Sequence, residues 1–185
     1  ASSLVGSEMC IRDSDCTGHG ISASLTSVLA LNLFEYIIMN KGLKRTSQIL
    51  AEMDKRYIDC FKDSHSESFD NPWIDLAIVA IDNEEEKIYF SSANRKLLCV
   101  KQNGESKSYS SSGYPIGGWQ IQNDRFFETT IIPFEKGDRV YLGSDGYQDQ
   151  FGGPMNKKFR SKNLHSLLSE KYYMSMQEQK KVIHE

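Results

Sequence analysis

An aspartate running into a glycine-containing turn occurs twice in this chain, as "DCTGHG" from Asp15 and as "SDG" at Asp145. Carboxylates combined with main-chain carbonyls are hard oxygen donors, the set that divalent cations such as Mg2+ or Mn2+ take. Glycine beside the aspartate lets a carbonyl approach an ion with no side chain in the way. Asp-Gly is equally a common turn dipeptide, so either motif alone is also compatible with plain turn chemistry. Cys16 and His19 make a C-x-x-H pair, but no second pair completes the ligands of a zinc site.

Elements on either side must position these carboxylates. Residues 21–40 read as a helix closed by Gly42, and Thr46 is placed to cap a second helix carrying Ile49, Leu50, Met53, Tyr57 and Phe61 at helical spacing. Residues 62–71 are polar and read as an exposed loop. Short runs rich in β-branched and aromatic residues follow: "WIDLAIVAID", "KIYFSSAN", "KLLCVKQ", "RFFETTIIPF" and "DRVYLGSDG". Turns such as "DNEEE", "QNGE" and "EKGD" separate them with no helical pattern between, which implies antiparallel hairpins. In the last run Val140, Tyr141 and Leu142 read as a strand with Asp145 at its end. The C-terminal third returns to helix, with Ser175 and Glu178 as a capping box. Helices, antiparallel strands, then helices place the chain in the α+β class.

Composition narrows the function classes. At 185 residues the chain is long enough for one domain with a sizeable core. A net charge of -3 gives no general attraction for nucleic acid or anionic lipid. Polar residues, Ser22 to Glu35 among them, interrupt the apolar segment 21–39, which reads as a buried core helix and not as a membrane span. Four scattered cysteines and the lack of a secretory pattern point to reduced thiols in a cytoplasmic setting. "GHGISA" matches a dinucleotide-binding fingerprint, but a second helix follows where a parallel strand with an acidic residue is required. Residues 1–14, "ASSLVGSEMCIRDS", show no strand pattern and resemble translated adaptor readthrough. They are expected to be a non-native leader outside the fold, with 15–185 as one partial domain.

In order, "DCTGHGISAS" before an apolar helix, "IDLAIVAID", "YFSSANRKLLCV", "YPIGG", "KGDRVYLGSDGYQDQFGG" and "KKF" resemble one family. It is the SpoIIE-like branch of the metal-dependent type 2C protein serine/threonine phosphatases, and the resemblance runs from about Asp15 to the C-terminus. It implies an α-β-β-α sandwich, two antiparallel sheets face to face with helices outside, and a centre of two Mn2+ or Mg2+ ions. It implies that Asp15 bridges both ions, that the main-chain carbonyl of Cys16 binds one, and that Asp145 binds one. His19 stays open between proton transfer and a structural turn position. Asn94, Arg95 and the "YPIGG" loop stay open between the site mouth and buried turn packing.

The chemistry implied is in-line attack by a metal-activated water on a phosphoserine or phosphothreonine. The resemblance further implies a phosphorylated regulatory protein as partner, of the anti-sigma-factor antagonist type, and a sensor domain upstream in the parent chain. Charge and the interrupted apolar segment leave no contact of this domain with nucleic acid or membrane expected. The family pattern also has an acidic strand ahead of D-x-x-G-H-G and a final strand bearing a further metal-binding aspartate. Neither is legible in these 185 residues, so they are expected to be weakly active or inactive. The alternative is a catalytically dead pseudo-phosphatase serving as a regulatory binding module.

Overall fold

The computed structural model describes residues 2–3, 8–17, 20–61, 72–118, 125–152 and 155–184. In chain order the elements are β1 (Ser2–Ser3), β2 (Glu8–Cys16), α1 (Gly20–Lys41), α2 (Thr46–Phe61), β3 (Trp73–Asp82), β4 (Lys87–Ala93), β5 (Lys96–Val100) and β6 (Ser106–Ser110). They continue with β7 (Ile116–Gly117), β8 (Thr130–Pro133), β9 (Arg139–Tyr141), β10 (Phe151–Gly152), β11 (Lys157–Lys158), α3 (Arg160–Glu170) and α4 (Met176–His184). The class is α+β, as the order of patterns predicts. Two compact units form: Ala1–Lys96 with Ser110–Phe134, and Leu97–Tyr109 with Glu135–Glu185.

In the first unit β1-β2-β3-β4-β8 form one sheet, with β7 also pairing β3, and every pairing is antiparallel. The near-continuous apolar run of β3 fits a central strand: Ile74, Leu76, Ala77, Ile78 and Val79 are all buried. Ile74, Leu76 and Ile78, on one face of the pleat, join a core with Ala30, Phe34 and Ile37 of α1 and Ile49, Leu50, Met53 and Tyr57 of α2. Each such fully buried large side chain contributes about 1.5–3 kcal/mol relative to exposure.

Three expectations are corrected here. Residues 8–14 are not outside the fold: Glu8 through Cys16 pair residue for residue with β3, from Glu8↔Asp82 to Cys16↔Ile74. A ladder is made by backbone groups and needs no hydrophobic alternation. Two side chains then anchor the strand, Cys10 in the core and Arg12 with its guanidinium 4.4 Å from the Phe34 ring centroid. Helix α1 is not a wholly buried core helix. Thr26, Ala30, Phe34 and Ile37 are buried, whereas Ile21, Leu25, Val28 and Met39 are exposed. Apolar residues surround this helix, but packing uses one stripe, and by length and composition it meets the criterion for a membrane-crossing segment. Thr46 does not cap α2 through its side chain. Its hydroxyl is buried in a ring with Ser91 (2.7 Å) and Thr129 (3.2 Å), which ties the helix start to β4.

The "YPIGG" loop packs. Ile116 is buried, and Gly117 pairs with Trp73 of β3 while its N–H donates to the Asp54 carboxylate of α2 at 2.8 Å. Arg125 donates to the same carboxylate at 3.0 Å. The polar loop expected at 62–71 lies outside the described residues.

In the second unit the sheet order is β6-β5-β9, with β5 and β9 antiparallel. Leu98, Val100 and Leu168 form its core, joined by Tyr141, Leu164, Tyr172 and Ile183. The expected capping box is made: Ser175 N–H donates to Glu178 at 2.7 Å, and Glu178 N–H donates to the Ser175 hydroxyl at 3.2 Å.

Candidate metal centre

Strand β2 delivers Asp15 to its own C-terminal end, where the residue lies directly opposite Asp75 of β3. Asp13 lies two residues back, opposite Ala77, and shares that face. At the end of β4 the chain turns through Asn94, at φ +57, a left-handed conformation that asparagine tolerates. Both side chains of the turn reach back to the carboxylates. Asn94 Nδ2 donates to the two oxygens of Asp75 at 3.0 and 3.1 Å. Arg95 donates through a terminal nitrogen to Asp15 Oδ2 at 2.5 Å. The Ser92 hydroxyl donates to the Arg95 carbonyl at 2.8 Å and holds the turn in place.

Burial differs sharply within this pair: the Arg95 side chain is 8% exposed and that of Asp15 41%. Among the described residues Asp15 Oδ1 makes no hydrogen bond, so one carboxylate oxygen is available. Arg95 Nε and Asp13 Oδ2 are buried without partners. The backbone supplies a second donor. Thr17 N–H donates to the Trp73 carbonyl at 3.0 Å, and Trp73 N–H donates to the Thr17 hydroxyl at 2.9 Å. Bonded and non-bonded pairs alternate in an antiparallel ladder, so Cys16↔Ile74 is a non-bonded pair. The Cys16 carbonyl therefore points away from β3, while its thiol side packs against the first unit's core.

Asp15 and the Cys16 carbonyl are both oxygen donors, so they fit two positions on a hard cation and none on a thiolate-seeking one. Among the described residues no group of three or more His, Cys, Asp or Glu side chains is gathered for a metal. Gly18 and His19 lie outside the described residues. Asp145 belongs to the second unit. The expected strand through Leu142 closes earlier, at Tyr141, and Asp145 sits beyond it in an exposed turn. There its carbonyl accepts from Asp149 N–H at 2.9 Å, and the N–H of Gly146 takes the Ser144 hydroxyl at 3.4 Å. Its carboxylate has no hydrogen-bond partner among the described residues.

The structure thus brings Asp15, Cys16, Asn94 and Arg95 together within one unit and adds Asp13 and Asp75. Asp75 carried a signal, a charge inside the otherwise apolar "WIDLAIVAI". Asp13 was hidden by its place in the segment read as a leader. A cavity of about 450 Å³ opens elsewhere in the unit, lined by Lys44, Arg45, Ser47, Asp82, Tyr89 and Ile131, and Asp13, Asp15 and Asp75 do not line it.

Residues 6–185 match the family model described as Stage II sporulation protein E (SpoIIE). No curated protein matches the chain. Among solved structures, the SiaA-PP2C domain of Pseudomonas aeruginosa is 21% identical, with a TM-score of 0.78 over 97% of this chain and 72% of that one. RsbX in complex with magnesium is 17% identical, with a TM-score of 0.63 over 98% and 75%. The structure of the PP2C phosphatase domain and a fragment of the regulatory domain of SpoIIE from Bacillus subtilis is 18% identical, with a TM-score of 0.61. This chain covers 53% of that longer one. A model matched over nearly the whole sequence places the chain in the Stage II sporulation protein E (SpoIIE) family, and its fold is shared with PP2C-type domains.

Proposed function

We propose that the chain is a metal-dependent protein serine/threonine phosphatase domain acting on a phosphorylated regulatory protein of the anti-sigma-factor antagonist type. Asp15, the Cys16 carbonyl and Asp145 would be the residues that hold its two Mn2+ or Mg2+ ions. The observation that carries this reading is the end of β2, where Asp15 keeps one oxygen without a hydrogen bond and the carbonyl of the next residue, Cys16, points away from β3. RsbX, which shares the fold, has been solved with magnesium. When bound, such ions ready a water for attack near neutral pH and neutralise charge on the phosphoryl oxygens. The chain's own part is placement: β2 is locked to β3 over nine residue pairs, so Asp15 is presented on a rigid strand. His19, two residues beyond the described part of the turn, is assigned to proton transfer. The four free cysteines agree with a cytoplasmic protein.

A pseudo-phosphatase regulatory module is the second reading. The Asp15–Arg95 ion pair supports it, because a guanidinium balances the carboxylate with no ion present. Release of p-nitrophenol from p-nitrophenyl phosphate by the chain separates the two. Manganese-dependent turnover that Asp145→Ala abolishes is expected. Metal-independent turnover, or none, would leave the binding module standing.

A further inference from the structure

We infer that Arg95 is a built-in counter-cation for Asp15, competing with the divalent ion for that carboxylate and setting the ion concentration at which the site loads. This rests on the phosphatase reading of Asp15. The geometry behind it belongs to one unit. Arg95 projects from the turn after β4, across the end of β3, to Asp15 on β2, and its terminal nitrogen meets Oδ2 at 2.5 Å. The side chain is 8% exposed, so its charge is largely removed from water and needs a counter-charge. Among the described residues Asp15 is its only ion-pair partner, and its buried Nε is left without an acceptor.

A guanidinium that satisfied would be spread over several acceptors. This one leans on a single carboxylate oxygen, while the other oxygen of Asp15 stays open. A divalent cation arriving at Oδ1 meets a full positive charge across the same carboxylate, and like charges this close in a partly buried site repel strongly. Asn94 donates to both oxygens of the neighbouring Asp75, whereas Asp15 takes its charge partner from Arg95. Metal loading and the Asp15–Arg95 pair are therefore opposed. Without ions, the Asp15 carboxylate is held in an ion pair with Arg95.

Manganese binding, followed by loss of the free-ion electron paramagnetic resonance signal, tests this without requiring turnover. Arg95→Met removes the charge and keeps the apolar stem, and it should bind Mn2+ about tenfold more tightly than the wild type. Arg95→Lys keeps the charge and should bind as the wild type does. If Arg95 served packing alone, both variants would weaken binding or leave it alone, and either result overturns the inference. Should Arg95→Met fail to give a cooperative urea transition, Arg95→Gln makes the same neutral comparison. Asp15→Asn separates the two layers. If it lowers Mn2+ affinity while Arg95→Met does not raise it, only the role of Arg95 falls. If Asp15→Asn binds as the wild type does, the metal reading of Asp15 falls first.

Discussion

Gly117 rests against the ring of Tyr57. A Cβ built on Gly117 would lie 2.5 Å from Cδ1 and Cε1 of that ring, and the glycine sits at φ +73. Tyr57 is fully buried on α2, and its hydroxyl donates to the Pro72 carbonyl at 3.1 Å, so the ring has nowhere to move. Gly117→Ala therefore combines overpacking with an unfavourable backbone conformation. We expect a loss of about 2 kcal/mol or more, read as a lower urea midpoint by tryptophan fluorescence. Adding Tyr57→Ala should cost less than the sum of the single changes, because the clash disappears with the ring.

Asp54 and Arg125 fasten the same loop to α2, with side chains only 9% and 7% exposed. Burial pushes the Asp54 carboxyl above its ordinary value, and the Gly117 N–H and the Arg125 charge offset this only in part. Arg125→Met would strand a buried carboxylate and should cost about 3–5 kcal/mol. Asp54→Asn keeps an acceptor for Gly117 N–H without the charge and should cost clearly less. Equal losses for the two substitutions would contradict the dominance of burial at this site.

Glu52 joins the two helices by accepting from Lys41 of α1 at 2.6 Å and from Arg56 of α2 at 2.5 Å. The hydrogen bond from Lys41 holds its carboxyl below the ordinary glutamate value, with Arg56 adding to the effect. A carboxyl lowered by folding stabilises the fold above its unfolded pKa, and that contribution fades as pH falls through the lowered folded value. Urea midpoints measured from about pH 6 to about pH 3 should thus fall less steeply in Glu52→Gln than in the wild type. The difference should shrink in high salt, because Lys41 is about one-third exposed.

Much of this was open to reading in the sequence, and the failures have physical causes. The apolar run of α1 with Gly42 at φ +63 beyond it, the helical spacing in α2, the apolar run of β3 and the Ser175–Glu178 box are local signals that act over a few residues. The run "RFFETTIIPF" shrinks to Thr130–Pro133. Upstream backbone is claimed by side chains: the Phe126 carbonyl accepts the hydroxyls of Ser112 and Tyr114, and that of Glu128 accepts the Ser111 hydroxyl. Strand β2 escaped notice because its pairing is a backbone property that "EMCIRDSDC" does not advertise. The two Asp-Gly motifs stood out by their residue types. The partner of Asp15, Arg95, is 80 residues away, and no local pattern reports a contact of that range.

The proposed function assigns Asp15 and Asp145 to the same ions, and a double-mutant cycle on Mn2+ affinity tests that proposal most directly. Asp15→Asn and Asp145→Ala are each expected to weaken binding at least tenfold, by roughly 1.4 kcal/mol, with the double variant losing far less than the sum because either change already dismantles the site. Strictly additive losses, or an Asp145→Ala variant that binds Mn2+ as the wild type does, would show that the two carboxylates do not act on the same ions.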